Sequence, residues 1–114
     1  REREELGVVF DQIGSPTYAR DLAQTIITAI EQGIVPGVYH YTNEGACSWY
    51  DFTKAIHHLA GIENCRVRPI HTEEYPVPAA RPHFSVLDKT KIKSVYDCDI
   101  PWWEDSLKDC LKEL

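Results

Sequence analysis

The segment from His71 to Pro82 restricts this chain more than any other, because Pro76, Pro78 and Pro82 fix backbone φ and remove amide donors within it. Each proline also drives the residue before it out of the helical region, so Glu74-Tyr75-Pro76-Val77-Pro78-Ala79-Ala80-Arg81 is expected to run extended as a long, stiff loop. Loops of this length inside a domain are more often functional than simply connecting. Regular structure must therefore lie on either side of it.

Upstream, Leu6-Gly7-Val8-Val9-Phe10 has the aliphatic and aromatic content of a strand and runs into Asp11-Gln12-Ile13-Gly14-Ser15-Pro16-Thr17, a loop of turn formers. Ser15 as N-cap and Pro16 as the first helical residue start an amphipathic helix, with Ala19, Leu22, Ala23, Ile26 and Ile30 on one face and Gly33 as its stop. After Pro36-Gly37, the β-branched and aromatic run Val38-Tyr39-His40-Tyr41-Thr42 reads as a second strand. Asn43-Glu44-Gly45 turns the chain. Ser48 with Asp51 then forms a capping box ahead of Trp49, Phe52, Ile56, Leu59 and Ala60, and Gly61 closes this helix. Beyond it, Arg66-Val67-Arg68-Pro69-Ile70 is a short edge strand, since its proline cannot donate to a ladder. Asp88 caps a short helix carrying Ile92 and Val95, and a last helix from about Pro101 places Trp103, Leu107, Cys110, Leu111 and Leu114 on one face. The sum is an α/β chain of three main helices and a few short strands.

An apolar share of 43% and a charged share of 26% are those of a folded globular domain, and 114 residues suffice for one. A net charge of -6 excludes the basic footprint that nucleic acid requires. No apolar run approaches the roughly 18 residues of a membrane span. Arg1 to Glu5 are uniformly charged, which argues against a signal peptide, and a start without Met reads as a portion of something longer. Cys47, Cys65, Cys98 and Cys110 form no Cys-x-x-Cys pair; they are expected as reduced thiols in a cytoplasmic protein. The five histidines lack ligand spacing, and no metal or catalytic role is assigned to them.

Asp11-Gln12-x-Gly14-x-Pro16-Thr17, Gly37-Val38-Tyr39-His40, Cys47-Ser48-Trp49-Tyr50-Asp51-Phe52, Glu74-Tyr75-Pro76-x-Pro78-Ala79-x-Arg81-Pro82 and Ser85-x-Leu87-Asp88 occur in that order. Together with the closing Trp102 to Leu114 stretch they resemble the carboxy-terminal half of the dTDP-4-dehydrorhamnose reductase family, in the extended short-chain dehydrogenase/reductase superfamily with its Rossmann-like fold. The resemblance implies reduction of dTDP-4-dehydro-L-rhamnose to dTDP-L-rhamnose by NADPH or NADH, for polysaccharide synthesis. It also implies that the nucleotide cofactor and the catalytic Tyr-x-x-x-Lys pair belong to an amino-terminal Rossmann domain absent from these 114 residues. Residues 1–114 would then be a single substrate-binding domain, inactive alone. Tyr50 and Lys54 match the bare spacing but fall on the wrong helix, where an aromatic beside a lysine stem is a packing pair.

Within that resemblance Arg81 is the strongest site candidate, because a guanidinium fork takes two phosphate oxygens of a nucleoside diphosphate at once. Gln12 is a candidate for the base or sugar, and Tyr75 for stacking beside them. Asp11, Gly14, Ser15 and Pro16 are equally explained by loop and helix-start chemistry, and Trp49, Phe52, Trp102 and Trp103 are read as packing. Some relatives hold magnesium through glutamates at a dimer interface, and Glu2 and Glu113 stand where such ligands could fall; a homodimer is expected because a portion cut from a larger fold exposes apolar surface. Two alternatives stay open: another nucleotide-sugar epimerase or dehydratase, and a non-catalytic regulatory subunit such as that of methionine adenosyltransferase.

Overall fold

The structure, a computed structural model, describes residues 5–63, 65–75, 79–96 and 98–114. Strand β1 (Glu5–Val9) pairs in parallel with β4 (Arg66–Ile70), Glu5 opposite Arg66 and Val9 opposite Ile70, and Phe10 N–H extends the ladder to Ile70 O at 3.0 Å. Pro69 sits opposite Val8 in a strand with one neighbour among the described residues, where its missing donor costs no ladder bond. A second sheet is three short strands in the order β3 (Cys47–Ser48), β2 (Ile13–Gly14) and β5 (Phe84–Ser85), with β2 antiparallel to β3 and parallel to β5. Among the described residues there are four α-helices: α1 (Ala19–Gln32), α2 (Trp49–Ala60), α3 (Thr90–Val95) and α4 (Trp103–Lys112).

Helix α2 starts as its sequence requires. Ser48 Oγ accepts from Asp51 N–H at 2.9 Å and Asp51 Oδ2 accepts from Ser48 N–H at 3.2 Å, while Gly61 ends the helix in the left-handed region at φ 68°. Its inner face meets α4 over Cys47, Trp103 and Leu107, with Phe52, Ala55, Ile56 and Leu111 packed around them. The Phe52 and Trp103 rings lie 6.0 Å apart.

Helix α1 starts three residues later than the Ser15-Pro16 signal. Ser15 Oγ donates to Gly45 O at 2.6 Å and Pro16 O accepts from Asn43 N–H at 3.3 Å, so these residues run extended along the 43–45 turn. The helix has Tyr18 as its N-cap, and the Tyr18 amide is satisfied by Asn43 Oδ1 at 2.7 Å, a cap from a distant residue. Asp88 behaves similarly: Lys89 is the residue flanking α3, yet Asp88 Oδ1 accepts from both Thr90 N–H and Thr90 Oγ, at 2.9 and 2.6 Å. The expected strand over 38–42 does not form; a strand-favouring sequence needs a neighbour to pair with, and none of the described residues provides one.

Asn43, only 1% exposed, joins the parts. Its Nδ2 faces Asp21 Oδ2 of α1 at 2.7 Å, Ser106 Oγ of α4 at 3.0 Å and Pro101 O at 3.2 Å. Ser106 Oγ also donates a short hydrogen bond to Asp21. Beside it, the buried Lys89 ammonium spends its three protons on Thr42 Oγ1, Asn43 O and Glu44 Oε1, at 3.2, 2.9 and 2.8 Å. Gly45, at φ 90°, leaves room for Trp102 and Trp103, whose ring atoms would lie 2.7–2.8 Å from any Cβ there.

Replacing Asn43 with Ala would leave the Tyr18 amide without its acceptor and Asp21 and Ser106 with only each other, and should cost on the order of 3 kcal/mol in urea unfolding. The hydrogen bonds from Lys89 and Lys93 hold the Glu44 carboxyl below its ordinary value of 4.5. A group lowered in the folded state stabilises above its unfolded pKa and stops doing so as pH falls through the folded one. The unfolding midpoint should therefore drop as the pH falls below about 4.5, and Glu44→Gln should flatten that part of the profile.

Candidate functional site

The loop between β1 and α1 is bound to both ends of the proline segment. Asp11 Oδ2 accepts from Thr72 N–H at 3.1 Å and Asp11 Oδ1 from Thr72 Oγ1 at 2.5 Å, which anchors the 3-10 turn Thr72–Glu74. Ile13 N–H donates to His83 O at 2.7 Å, and His83 Nδ1 lies 2.8 Å from Asp11 O. The Thr72 hydroxyl bond is the main reason that the Asp11 carboxyl is held below the usual aspartate range. Asp11 thus ties a segment distant in sequence, and its carboxylate also accepts from its own backbone amide. Gly14 lies in β2 without a positive φ and so serves no turn; a Cβ there would stand 3.4 Å from Ser85 O, an ordinary contact.

These ties shape two adjoining hollows. The smaller, about 270 Å³, has walls that include Ile13, Pro16, Cys47, Phe52 and Pro82. The larger, about 740 Å³, lies against Leu6–Val9 of β1 with Thr53, Ile70 and Tyr75. Gln12, Trp49 and Arg81 border both. The structure therefore brings Gln12 and Arg81 to one place, and Tyr75 lines the larger hollow with them. Gln12 Nε2 donates a long bond, 3.4 Å, to Thr72 Oγ1, leaving its amide oxygen free among the described residues. Arg81 is exposed and makes no hydrogen bond or ion pair with any described residue, so its fork is available to a ligand. Pro76, Val77 and Pro78 of the same segment lie outside the described residues.

Trp49 is the residue that sequence reasoning misses. By spacing it belongs to the packed face of α2, but as the first residue of that helix it projects past the core and stays 58% exposed on the border of both hollows. The Cys47 thiol beneath is pushed up to about 11, chiefly by burial, which keeps it protonated and unreactive at neutral pH. No disulfide joins cysteines of the described residues. Tyr50 and Lys54 border neither hollow. Ligating atoms of Asp11, His71 and Glu73 lie within 4.8 Å of one another, a proximity no spacing rule could find, although Thr72 already occupies both Asp11 oxygens. Glu113 pairs with Arg20 and accepts from Tyr18 Oη at 2.9 Å, while Glu2 lies outside the described residues. Among the described residues no helix is long and apolar enough to cross a membrane.

The class follows from solved structures that share this arrangement. The dTDP-4-dehydrorhamnose reductase of Bacillus anthracis, solved in complex with NADP, superimposes with a TM-score of 0.86 at 39% identity, over 98% of this chain and 38% of its own. An orthologue from Clostridium acetobutylicum gives 0.86 at 40% identity, over 98% and 40%. The fold is α/β, of the extended short-chain dehydrogenase/reductase kind. Residues 1–114 match the RmlD substrate binding domain throughout, and the chain belongs to that family. Similar curated proteins include the spore coat polysaccharide biosynthesis protein SpsK of Bacillus subtilis, 40% identical over 97% of this chain and 38% of its own length. Another is the dTDP-4-dehydrorhamnose reductase of Aggregatibacter actinomycetemcomitans, 42% identical over 96% and 40%. The chain thus spans about 40% of the length of these relatives.

Replacing Asp11 with Ala should release the 3-10 turn. Exchange of the Thr72 amide is expected to speed up at least about fivefold, the loss of roughly one hydrogen bond, with little change in the amides of α4. Amide exchange read by NMR checks this directly.

Proposed function

We propose that this chain is the substrate-binding domain of a dTDP-4-dehydrorhamnose reductase, a longer enzyme that reduces dTDP-4-dehydro-L-rhamnose with NADPH or NADH to supply rhamnose for polysaccharides. The observation that carries the reading is the convergence of Arg81, Gln12, Trp49 and Tyr75 on two joined hollows. Arg81, unpaired among the described residues, suits the diphosphate, which it can hold through two parallel charge-assisted bonds. The free Gln12 oxygen and the exposed Trp49 and Tyr75 rings suit the flat base and the sugar. The names of the relatives support a reductase over an epimerase, a dehydratase or a regulatory subunit.

The residues present do not fit a dinucleotide cofactor. The turn between β1 and α1 holds Gly14 alone, inside a strand, and the start of α1 is taken up by the Asn43 side chain. The role of these 114 residues is to bind and orient the sugar nucleotide, which fixes the ketone for a reaction centre supplied by the remainder of the enzyme. A cytoplasmic location and a homodimeric enzyme belong to the same reading, the former in keeping with thiols that form no disulfide among the described residues. Magnesium finds little support here, since Glu113 is engaged by Arg20 and Tyr18.

In the full-length enzyme, Arg81→Ala should weaken dTDP binding and raise the KM for the sugar nucleotide about 10- to 100-fold, the worth of charged hydrogen bonds. The KM for the nicotinamide cofactor should stay unchanged. Unaltered dTDP affinity measured by calorimetry would remove Arg81 from the site.

A further inference from the structure

We infer that Asp11, His71 and Glu73 form a binding site for a divalent transition-metal ion of the zinc type, which fastens the start of the proline segment to the β1–α1 loop. One ligand atom from each residue lies within 4.8 Å of the other two. His71 Nδ1 is 3.8 Å from Asp11 Oδ2. Donors about 2.0–2.2 Å from a tetrahedral zinc stand roughly 3.4 Å from one another. Closing the remaining gap takes only a turn of the His71 and Glu73 side chains, and both are exposed. The site lines neither hollow, so it is separate from the binding of a sugar nucleotide.

Each member has a distinct part. Asp11 is the fixed one: its carboxylate accepts from Thr72 N–H, Thr72 Oγ1 and its own amide, which uses three of about four lone-pair positions and leaves one for the ion. Hydrogen bonds of this kind orient a ligating carboxylate. The His71 ring packs edge-on against Phe10, centroids 4.8 Å apart, and its imidazole nitrogen selects zinc or cobalt over magnesium and calcium. Glu73 makes no hydrogen bond or ion pair with any described residue, whereas Glu74 beside it accepts from His71 N–H and faces Arg68. Two carboxylates thus meet at one point, while Arg68 on the adjoining strand is spent on Glu5 and Glu74. His83 Nδ1 also lies 3.8 Å from Asp11 Oδ2, but it donates to the Asp11 carbonyl at 2.8 Å and so supports the site without ligating. Because the turn Thr72–Glu74 opens the proline segment, an ion here stiffens the chain that carries Tyr75 and Arg81 to the hollows.

The test uses the full-length protein, untagged and stripped of metal with a chelator, titrated with Zn2+ by calorimetry and with Co2+ by visible absorption. A Co2+ spectrum of nitrogen and oxygen donors is expected, without the charge-transfer band of a thiolate ligand. His71→Ala and Glu73→Gln should each weaken Zn2+ binding at least about tenfold, the least that disturbing a ligand costs. Both side chains are exposed, so the variants keep the fold. His57→Ala, beside His58 and Cys65 in a separate hollow, serves as the control and should bind as the parent does. No binding by the parent, binding untouched by His71→Ala, or equal loss in His57→Ala would overturn the inference. A second measurement reads the ion through the fold: saturating Zn2+ should raise the urea midpoint of the parent and slow exchange of the Glu74 and Tyr75 amides, which close the 3-10 turn, with neither effect in His71→Ala. Equal effects in both proteins would overturn it too. Neither readout involves the sugar nucleotide, so failure here leaves the reductase reading standing, and loss of dTDP binding would leave this one standing.

Discussion

One carboxamide holds the helices of this chain in place. Asn43 gives its oxygen to the Tyr18 amide at the start of α1 and its nitrogen to Asp21 and Ser106, while its backbone carbonyl receives Lys89. A buried polar network is costly when partly satisfied and specific when complete. Here every proton of the Lys89 ammonium and both ends of the Asn43 amide are used, so the arrangement of α1, α3 and α4 has a single solution. The apolar core beside it is small: Cys47, Trp103 and Leu107 with their neighbours. Direction in this fold comes from hydrogen bonds more than from packing.

Much of the helical framework is legible in the residues because its causes are local. The Ser48–Asp51 box, the stops at Gly33 and Gly61 and the spacing of Trp103, Leu107 and Cys110 act within a turn or two of where they are written. What could not be read depends on distant partners. Ser15 and Pro16 form a sound helix start, yet Ser15 is taken by Gly45 and the cap comes from Asn43. Val38–Thr42 has every local mark of a strand, but a strand is a relation between two segments.

The candidate site divides in the same way. The resemblance singles out Arg81, Gln12 and Tyr75, and residue chemistry says only what each could hold. Their convergence rests on the bonds from Asp11 to Thr72 and from Ile13 to His83, which join positions about 60 to 70 residues apart and leave no trace in spacing. Trp49 was hidden for the opposite reason. Its helical position matches the packed face, and only the placement of the first turn beyond the core turns it outward.

The double anchoring of the proline segment has an evolutionary consequence. Because Thr72 and His83 are both fastened to the β1–α1 loop, the residues between them form a closed ring whose ends are set by other parts of the fold. Lengthening such a ring costs little, since closure entropy grows only with the logarithm of its length. The hollow it borders can therefore be reshaped by insertion or exchange in that ring while the helices stay where Asn43 puts them.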